Sequence, residues 1–191
     1  MKALLALAAL STVVIGVVAI ASPPSNRGGH AGRHSPYAGE EGRALSTLSA
    51  DDVTALLAGQ GWGLAKPAEL NGYPGPVHVL ELADALELTP EQRKSVQGCF
   101  DRMRARAQEF GARYVHAEKA LDDAFKTGTV EAGKLSELVA YAEKLRAELR
   151  MTHLGAHLEV AALLSPEQRQ KYMQLRGYTV GAPDRHGDPK Q

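Results

Sequence analysis

A five-residue helix-start signal occurs twice in this chain, at residues 88–92 as Leu-Thr-Pro-Glu-Gln and at residues 164–168 as Leu-Ser-Pro-Glu-Gln. In each copy the hydroxyl of Thr89 or Ser165 can accept a hydrogen bond from the amide three residues on, and the closing glutamine can reach back to the cap's own amide. The proline takes the first helical position, where its missing N–H has no intrahelical partner to lose. The two copies therefore predict one helix beginning after Thr89 and another beginning after Ser165.

Two long amphipathic segments, 90–126 and 130–163, lie between these starts, with apolar residues recurring every three or four positions as on one face of a helix. The first stripe comprises Val96, Phe100, Met103, Ala107, Phe110, Tyr114, Ala117, Leu121 and Ala124. The second comprises Leu135, Leu138, Ala142, Leu145, Leu149, Thr152, Ala156 and Leu163. Gly128 can end the first helix and Thr129 can cap the next. Since so short a connection makes neighbouring helices antiparallel, we predict an all-α fold built on a long antiparallel helical hairpin.

Shorter elements flank this hairpin. Residues 49–59 predict a short helix with Ser49 as its cap, residues 61–76 form a loop rich in glycine and proline, and residues 77–86 predict a second short helix. A final helix is expected from Pro166 to about residue 177.

A second apolar face of the 130–163 helix, away from its main stripe, carries Leu154, Leu158 and Ala161. We expect this apolar face to be buried against another part of the protein or against a partner. The candidates are the short N-terminal helices, the final helix and a second copy of the chain.

The N-terminal residues are typical of a secretory signal. Lys2 gives a short positive region, residues 4–20 carry no charge, and Ala-Ile-Ala ends at Ala21 as a small-x-small cleavage site. We expect cleavage after Ala21, and the alternative is an uncleaved membrane anchor, because the apolar run approaches the length that spans a bilayer. The expected organisation is a signal peptide (1–21), a flexible arm (22–43), a single helical domain (44–178) and a flexible tail (179–191).

Charge and motif content exclude several functions. Twenty-two Lys and Arg residues balance twenty-two Asp and Glu residues, so the chain has no basic excess for binding nucleic acid. Cys99 is the only cysteine, and the fold therefore cannot depend on an intramolecular disulfide. No placeable catalytic triad, phosphate-binding glycine loop, HExxH or CxxC occurs, and we expect a protein that is not an enzyme.

The paired five-residue copies, bracketing a helical hairpin, resemble the LTxxQ signature of the Spy/CpxP family of bacterial periplasmic proteins, which includes chaperones and heavy-metal sensors. The runs 61–65, 69–76 and 78–82 resemble a subgroup often labelled as heavy-metal sensors. The resemblance implies a periplasmic homodimer of hairpins. Its partners would be unfolded client proteins or a membrane-bound regulator of stress or metal responses.

The chaperone branch implies ATP-independent binding of unfolded proteins on a surface that mixes basic and apolar groups, and this is the first function expected here. No cofactor is required for it. An arginine-rich face could attract acidic, unfolded segments while apolar neighbours hold them. The alternative is that these arginines are ordinary solvated helix positions. The candidate client-binding residues are Arg102, Arg106, Arg113, Arg146 and Arg150.

Heavy-metal binding or sensing is the alternative function. His153 and His157 are spaced i, i+4 on one helix, so both could reach one ion. The antiparallel register places Met103 opposite His153 and Cys99 opposite His157, which would give a soft site for zinc, copper or nickel. In the nickel-cobalt sensor branch, the resemblance implies, a pair at this spacing contributes to the metal site. The competing interpretation is that these side chains only pack in the core. Further possible ligands are Glu159, Glu109 and His78.

Overall fold

In the computed structural model, residues 35–178 are described, and within them there are helices and connecting turns but no strand. Residues 39–178 belong to one compact unit, which carries the helices. In chain order they are α1 (Ala50–Leu57), α2 (Lys66–Glu69), α3 (Pro76–Glu81), α4 (Pro90–Lys126), α5 (Ala132–Leu163) and α6 (Pro166–Leu175). The predicted signal peptide, the first part of the arm and the tail (179–191) lie outside the described residues. Within these residues, no helix is long and apolar enough to cross a membrane.

The predicted antiparallel hairpin is confirmed. Helix α4 has 37 residues and α5 has 32, and the start of α4 lies against the end of α5. The Cys99 thiol is 3.8 Å from the Ala156 carbonyl oxygen, and the Gln92 side-chain amide donates to the Leu163 carbonyl oxygen at 2.8 Å. The register agrees with the prediction from sequence to about one residue.

The turn between the long helices differs from the prediction. Gly128 ends the first helix with φ +66°, in the left-handed region that glycine adopts readily. Thr129, however, does not cap α5, which begins two residues later than predicted, with Glu131 at the cap position and no side-chain cap bond. The Thr129 hydroxyl is instead hydrogen-bonded to the Thr127 hydroxyl at 2.9 Å, and the Thr129 N–H donates to the Ala124 carbonyl. The hydroxyl and N–H groups of Thr129 therefore form hydrogen bonds with the C-terminal end of α4 and do not cap α5.

Both predicted caps form, and they are joined to one another. Thr89 and Gln92 make a capping box at α4, and Ser165 and Gln168 make one at α6. The two glutamine amides also pair reciprocally: Gln92 Nε2 donates to Gln168 Oε1 at 2.9 Å, and Gln168 Nε2 donates to Gln92 Oε1 at 3.1 Å. Gln168 also donates to the Leu86 carbonyl at 3.2 Å. The repeated sequence thus ties the start of α4, the end of α5, the start of α6 and the turn before α4 together.

The short elements were predicted less accurately. The segment 61–76 is not only a loop, because it contains the four-residue helix α2. The helix predicted over 77–86 is shorter and begins earlier, since α3 spans Pro76–Glu81 and gives way to turns before α4. The second apolar face of α5, which was expected to be covered, is covered in part, because Ala161 is buried whereas Leu158 is 59% exposed.

Two apolar clusters lie along the hairpin. The tip cluster, nearer Gly128, contains Leu45, Leu48, Leu56, Leu64, Ala107, Phe110, Tyr114, Ala117, Ala142, Leu145 and Leu149. The base cluster contains Val79, Leu86, Val96, Cys99, Ala156, Val160, Leu164, Tyr172 and Met173. Helix α1 covers the tip cluster, while α3 and α6 cover the base cluster. This burial of apolar surface is what holds the short helices on the hairpin.

Helix α1 approaches α4 very closely at Gly111. A Cβ placed on Gly111 would lie 2.3 Å from the carbonyl oxygen of Leu56, the last buried residue of α1. Only a residue without a side chain allows this contact between backbones.

Candidate functional site

A cavity of about 380 Å³ lies between the α2–α3 segment and the hairpin. His153 and His157 of α5, Met103 of α4 and His78 of α3 all line it. Along the two long helices, Met103 and His153 fall between the tip cluster and the base cluster, whereas His157 lies beside Ala156 and Val160 of the base cluster. The cavity therefore brings together three of the four residues that the sequence predicted as metal ligands.

His157 is held in a defined orientation. Its Nδ1 is 2.7 Å from the carbonyl oxygen of Tyr73. Because a carbonyl can only accept, Nδ1 is the donor in this hydrogen bond, and Nε2 is the ring nitrogen left for another partner. A Cβ on Gly75 would lie 3.0 Å from Cε1 and 3.1 Å from Nε2 of this ring, so the Gly75 backbone packs directly on its edge.

His153 is 2% exposed, and its Nε2 has no hydrogen-bond partner among the described residues. A buried polar atom without a partner costs about 1–3 kcal/mol, so such an atom calls for an explanation. Burial, and secondarily the neighbouring His157, lowers the pKa of His153. The ring is therefore neutral near pH 7, which is the form that ligates metals.

Glu69 lies beside the histidines and was not predicted as a site residue. Its Oε1 accepts hydrogen bonds from Tyr172 at 2.5 Å and from Tyr178 at 3.1 Å, and the Arg176 guanidinium is 3.5 Å away. Burial, followed by Glu69, raises the pKa of the Tyr172 hydroxyl. This carboxylate therefore fastens α2 to α6, and its partners lie too far along the chain for any local pattern to reveal them.

The other carboxylate oxygen of Glu69 faces the histidine side. It accepts from the Gly75 N–H at 3.3 Å and is 3.8 Å from His157 Nδ1. Among residues 35–178, no three side chains of His, Cys, Asp or Glu are grouped so that they could hold a metal ion. His78 also lines the cavity, but its Nδ1 is paired with Glu81 at 2.9 Å. Apart from His78 and the Glu69 carboxylate, the cavity offers the imidazoles of His153 and His157 and the Met103 thioether, a set suited to a soft ion.

Cys99 lines a different space, a groove of about 520 Å³ between α4 and α5 that Met103 also lines. Its thiol is 2% exposed, and burial, followed by the nearby Glu159, raises its pKa to about 11. Cys99, the fourth residue predicted as a metal ligand, is not among the side chains that line the histidine cavity. Glu159 and Glu109, the carboxylates considered as further ligands, are paired with Arg102 and Arg113.

The state of Cys99 gives a testable prediction. Alkylation of the native protein at pH 8 should be at least about tenfold slower than in urea, because the reactive thiolate is scarce and buried. The pKa of Cys99 in the folded protein, about 11, lies above the ordinary 9.0, so the folded protein holds this proton more tightly than the unfolded chain. The contribution of this proton to the free energy of unfolding is therefore fully present below pH 9 and is lost as the pH rises through 11. Equal alkylation rates in the native and unfolded protein at pH 8 would contradict this.

Four of the five candidate client-binding arginines are divided between two grooves. Arg102 and Arg106 line the α4–α5 groove, whereas Arg146 and Arg150 line a groove beside Trp62. Four of the five arginines are paired with a glutamate: Arg102 with Glu159, Arg106 with Glu148, Arg113 with Glu109 and Arg146 with Glu143. Such exposed ion pairs contribute little to stability but reduce the local positive charge.

The long hairpin, its joined caps and its short covering helices define an all-α helical-hairpin protein. More specifically, the family described as heavy-metal resistance, which is part of the Spy/CpxP-like helical family, matches residues 53–171, well over half of the chain, and the chain belongs to that family. No curated protein and no solved structure matches it.

Proposed function

We propose that this protein binds a soft transition-metal ion, copper(I) in the first place, through His153, His157 and Met103, without catalysing a reaction. The observation that carries the proposal is the buried Nε2 of His153, which has no partner among the described residues, on a side chain that lines the same cavity as His157 and Met103. Membership in the heavy-metal resistance family supports it.

The chemistry of these side chains favours copper(I) over zinc. A thioether is a soft ligand that selects copper(I), which also accepts low coordination numbers, whereas structural zinc sites use four Cys, His or carboxylate ligands. The hydrogen bond from His157 to the Tyr73 carbonyl fixes the ring and its tautomer, as such bonds do in metal sites. His153 is neutral, so little proton release opposes binding near neutral pH.

The test is a competition titration of the purified protein with copper(I), zinc and nickel. We expect copper(I) to bind most tightly, and we expect His153→Ala and His157→Ala each to weaken binding at least about tenfold. His116→Ala is the matched control, because His116 is exposed on α4 and does not line the cavity. Circular dichroism checks that each variant stays helical. Unchanged copper affinity in both cavity variants would reject the site.

An ATP-independent chaperone is the second candidate function. The α4–α5 groove supports it, because this groove combines Arg102 and Arg106 with Met151, whose side chain is 65% exposed. Under the chaperone proposal, a periplasmic homodimer holds unfolded client proteins. Under the metal-binding proposal, the partner is a membrane-bound regulator. Suppression of client aggregation without ATP, lost in an Arg102→Glu, Arg106→Glu double variant, would favour the chaperone.

A further inference from the structure

A second groove, of about 540 Å³, lies between α2 and α5. Its lining combines two kinds of side chain. Trp62, Pro67 and Leu70 provide apolar surface, and Lys66, Arg146 and Arg150 provide positive charge. None of the proposed metal ligands lines it.

The positive charge of this groove is largely uncompensated. Lys66 and Arg150 make no ion pair with any carboxylate among the described residues, and Arg146 has only Glu143, at 3.4 Å. By contrast, the arginines of the α4–α5 groove each face a glutamate of α5. The groove beside Trp62 is therefore a local site of attraction for carboxylates.

The apolar part of the groove is held rigidly. Trp62 has φ +44°, in the left-handed region that costs free energy for a residue with a large side chain. Its indole N–H donates to Asp52 at 2.8 Å, and its ring lies 6.0 Å from the Tyr114 ring. Next to it, Leu70 is 51% exposed. Strained and fixed residues of this kind occur at binding sites, where they remove the cost of ordering the surface on association.

We propose that this groove docks a short acidic segment of a partner protein, in which an apolar side chain stands next to carboxylates. The carboxylates would pair with Lys66 and Arg150, and the apolar side chain would cover Leu70 and the Trp62 ring. A free phosphate would leave that apolar surface uncovered, and a flat anionic bilayer does not fit a concave groove. Hot spots of protein interfaces have this composition, with tryptophan and arginine at the centre.

The segment 62–70, which includes α2, separates this groove from the histidine cavity, since Trp62, Lys66 and Leu70 line both. The docking site nevertheless does not rest on the metal proposal. The binding experiment is therefore run first with a chelator present and then repeated with copper(I).

Trp62 is the only tryptophan of the chain, so its fluorescence reports on this groove directly. The probe is a short synthetic peptide in which Asp and Glu alternate with Leu, titrated into the full mature protein. Two comparison peptides carry Lys in place of the acids or Ser in place of Leu. We expect saturable binding of the first peptide only, weakened by added salt.

Charge reversal locates the site. Arg150→Glu and Lys66→Glu should each weaken peptide binding at least about tenfold. Arg150 does not line the histidine cavity, so Arg150→Glu should also leave copper(I) affinity unchanged. Lys134→Glu makes the same change in net charge at an exposed position of α5 outside the groove, and it should have no effect. A helical circular dichroism spectrum confirms that each variant folds.

Three results would overturn the proposal. They are the absence of saturable binding, an equal loss of binding in Lys134→Glu, and an equal fluorescence response to inorganic phosphate or to phosphatidylglycerol vesicles. Because copper(I) affinity is measured separately in Arg150→Glu, whose site lies outside the histidine cavity, failure of the docking site is distinguishable from failure of the metal site.

Discussion

Replacing Gly111 by alanine is expected to destabilise the folded protein by about 2 kcal/mol or more. The added Cβ would lie 2.3 Å from the carbonyl oxygen and 2.9 Å from the carbonyl carbon of Leu56. Both are backbone atoms, so no side-chain rotation can relieve the overlap. Helix α1 would have to move away from α4, and Leu56, now 1% exposed, would lose part of its burial in the tip cluster.

Gly98→Ala is the matched control on the same helix. Its Cβ would meet only the end of the flexible Arg102 side chain, at 3.4 Å. Alanine has the higher helix propensity, so this variant should be unchanged or up to about 1 kcal/mol more stable. Urea unfolding followed by circular dichroism measures both. Equal effects of the two substitutions would show that α1 does not pack on Gly111 as described.

The paired glutamines give the second large effect. Gln168→Ala should destabilise the protein by about 2 kcal/mol, because it leaves the Leu86 carbonyl, the Ser165 N–H and the Gln92 amide short of partners. Gln92→Ala should cost a similar amount, since it also removes a bond to the Leu163 carbonyl.

A double-mutant cycle separates the contact between the glutamines from the two separate caps. The double variant should cost about 1 kcal/mol less than the sum of the single variants, because either single substitution already breaks the reciprocal amide pair. Gln170→Ala, at an exposed position of α6, serves as the control and should change the stability by less than about 0.5 kcal/mol. Additivity of Gln92→Ala and Gln168→Ala would mean that the two caps act independently.

The sequence predicted the long helices well because their signals are local. Apolar spacing, the two capping boxes and Gly128 each act within one or two helical turns, and α4 has the predicted bounds. The start of α5 was misplaced because Thr129 can use its hydroxyl in two ways, and sequence does not tell which. Helix α2 was missed since a single turn, with Pro67 near its start, depends on its packing against α5.

Only part of the candidate site was predicted, because some of its features depend on local sequence and others on distant contacts. The i, i+4 spacing correctly placed both histidines on one face of α5. The hairpin register gives the position of Cys99 along the two long helices, but it does not tell which side of the helix pair the Cys99 side chain lines. The Tyr73 carbonyl that orients His157 and the tyrosines that engage Glu69 come from distant parts of the chain, and no local pattern marks them.

The two apolar clusters divide the hairpin into halves that need not open together. Each half is covered by different short helices, so amide protection against hydrogen exchange is set separately at the tip and at the base. His153 and Met103 lie at the boundary between the two clusters, where Met103 packs against the edge of the base cluster. An ion held there by both α4 and α5 would couple the two local openings and make the domain unfold as a single cooperative unit.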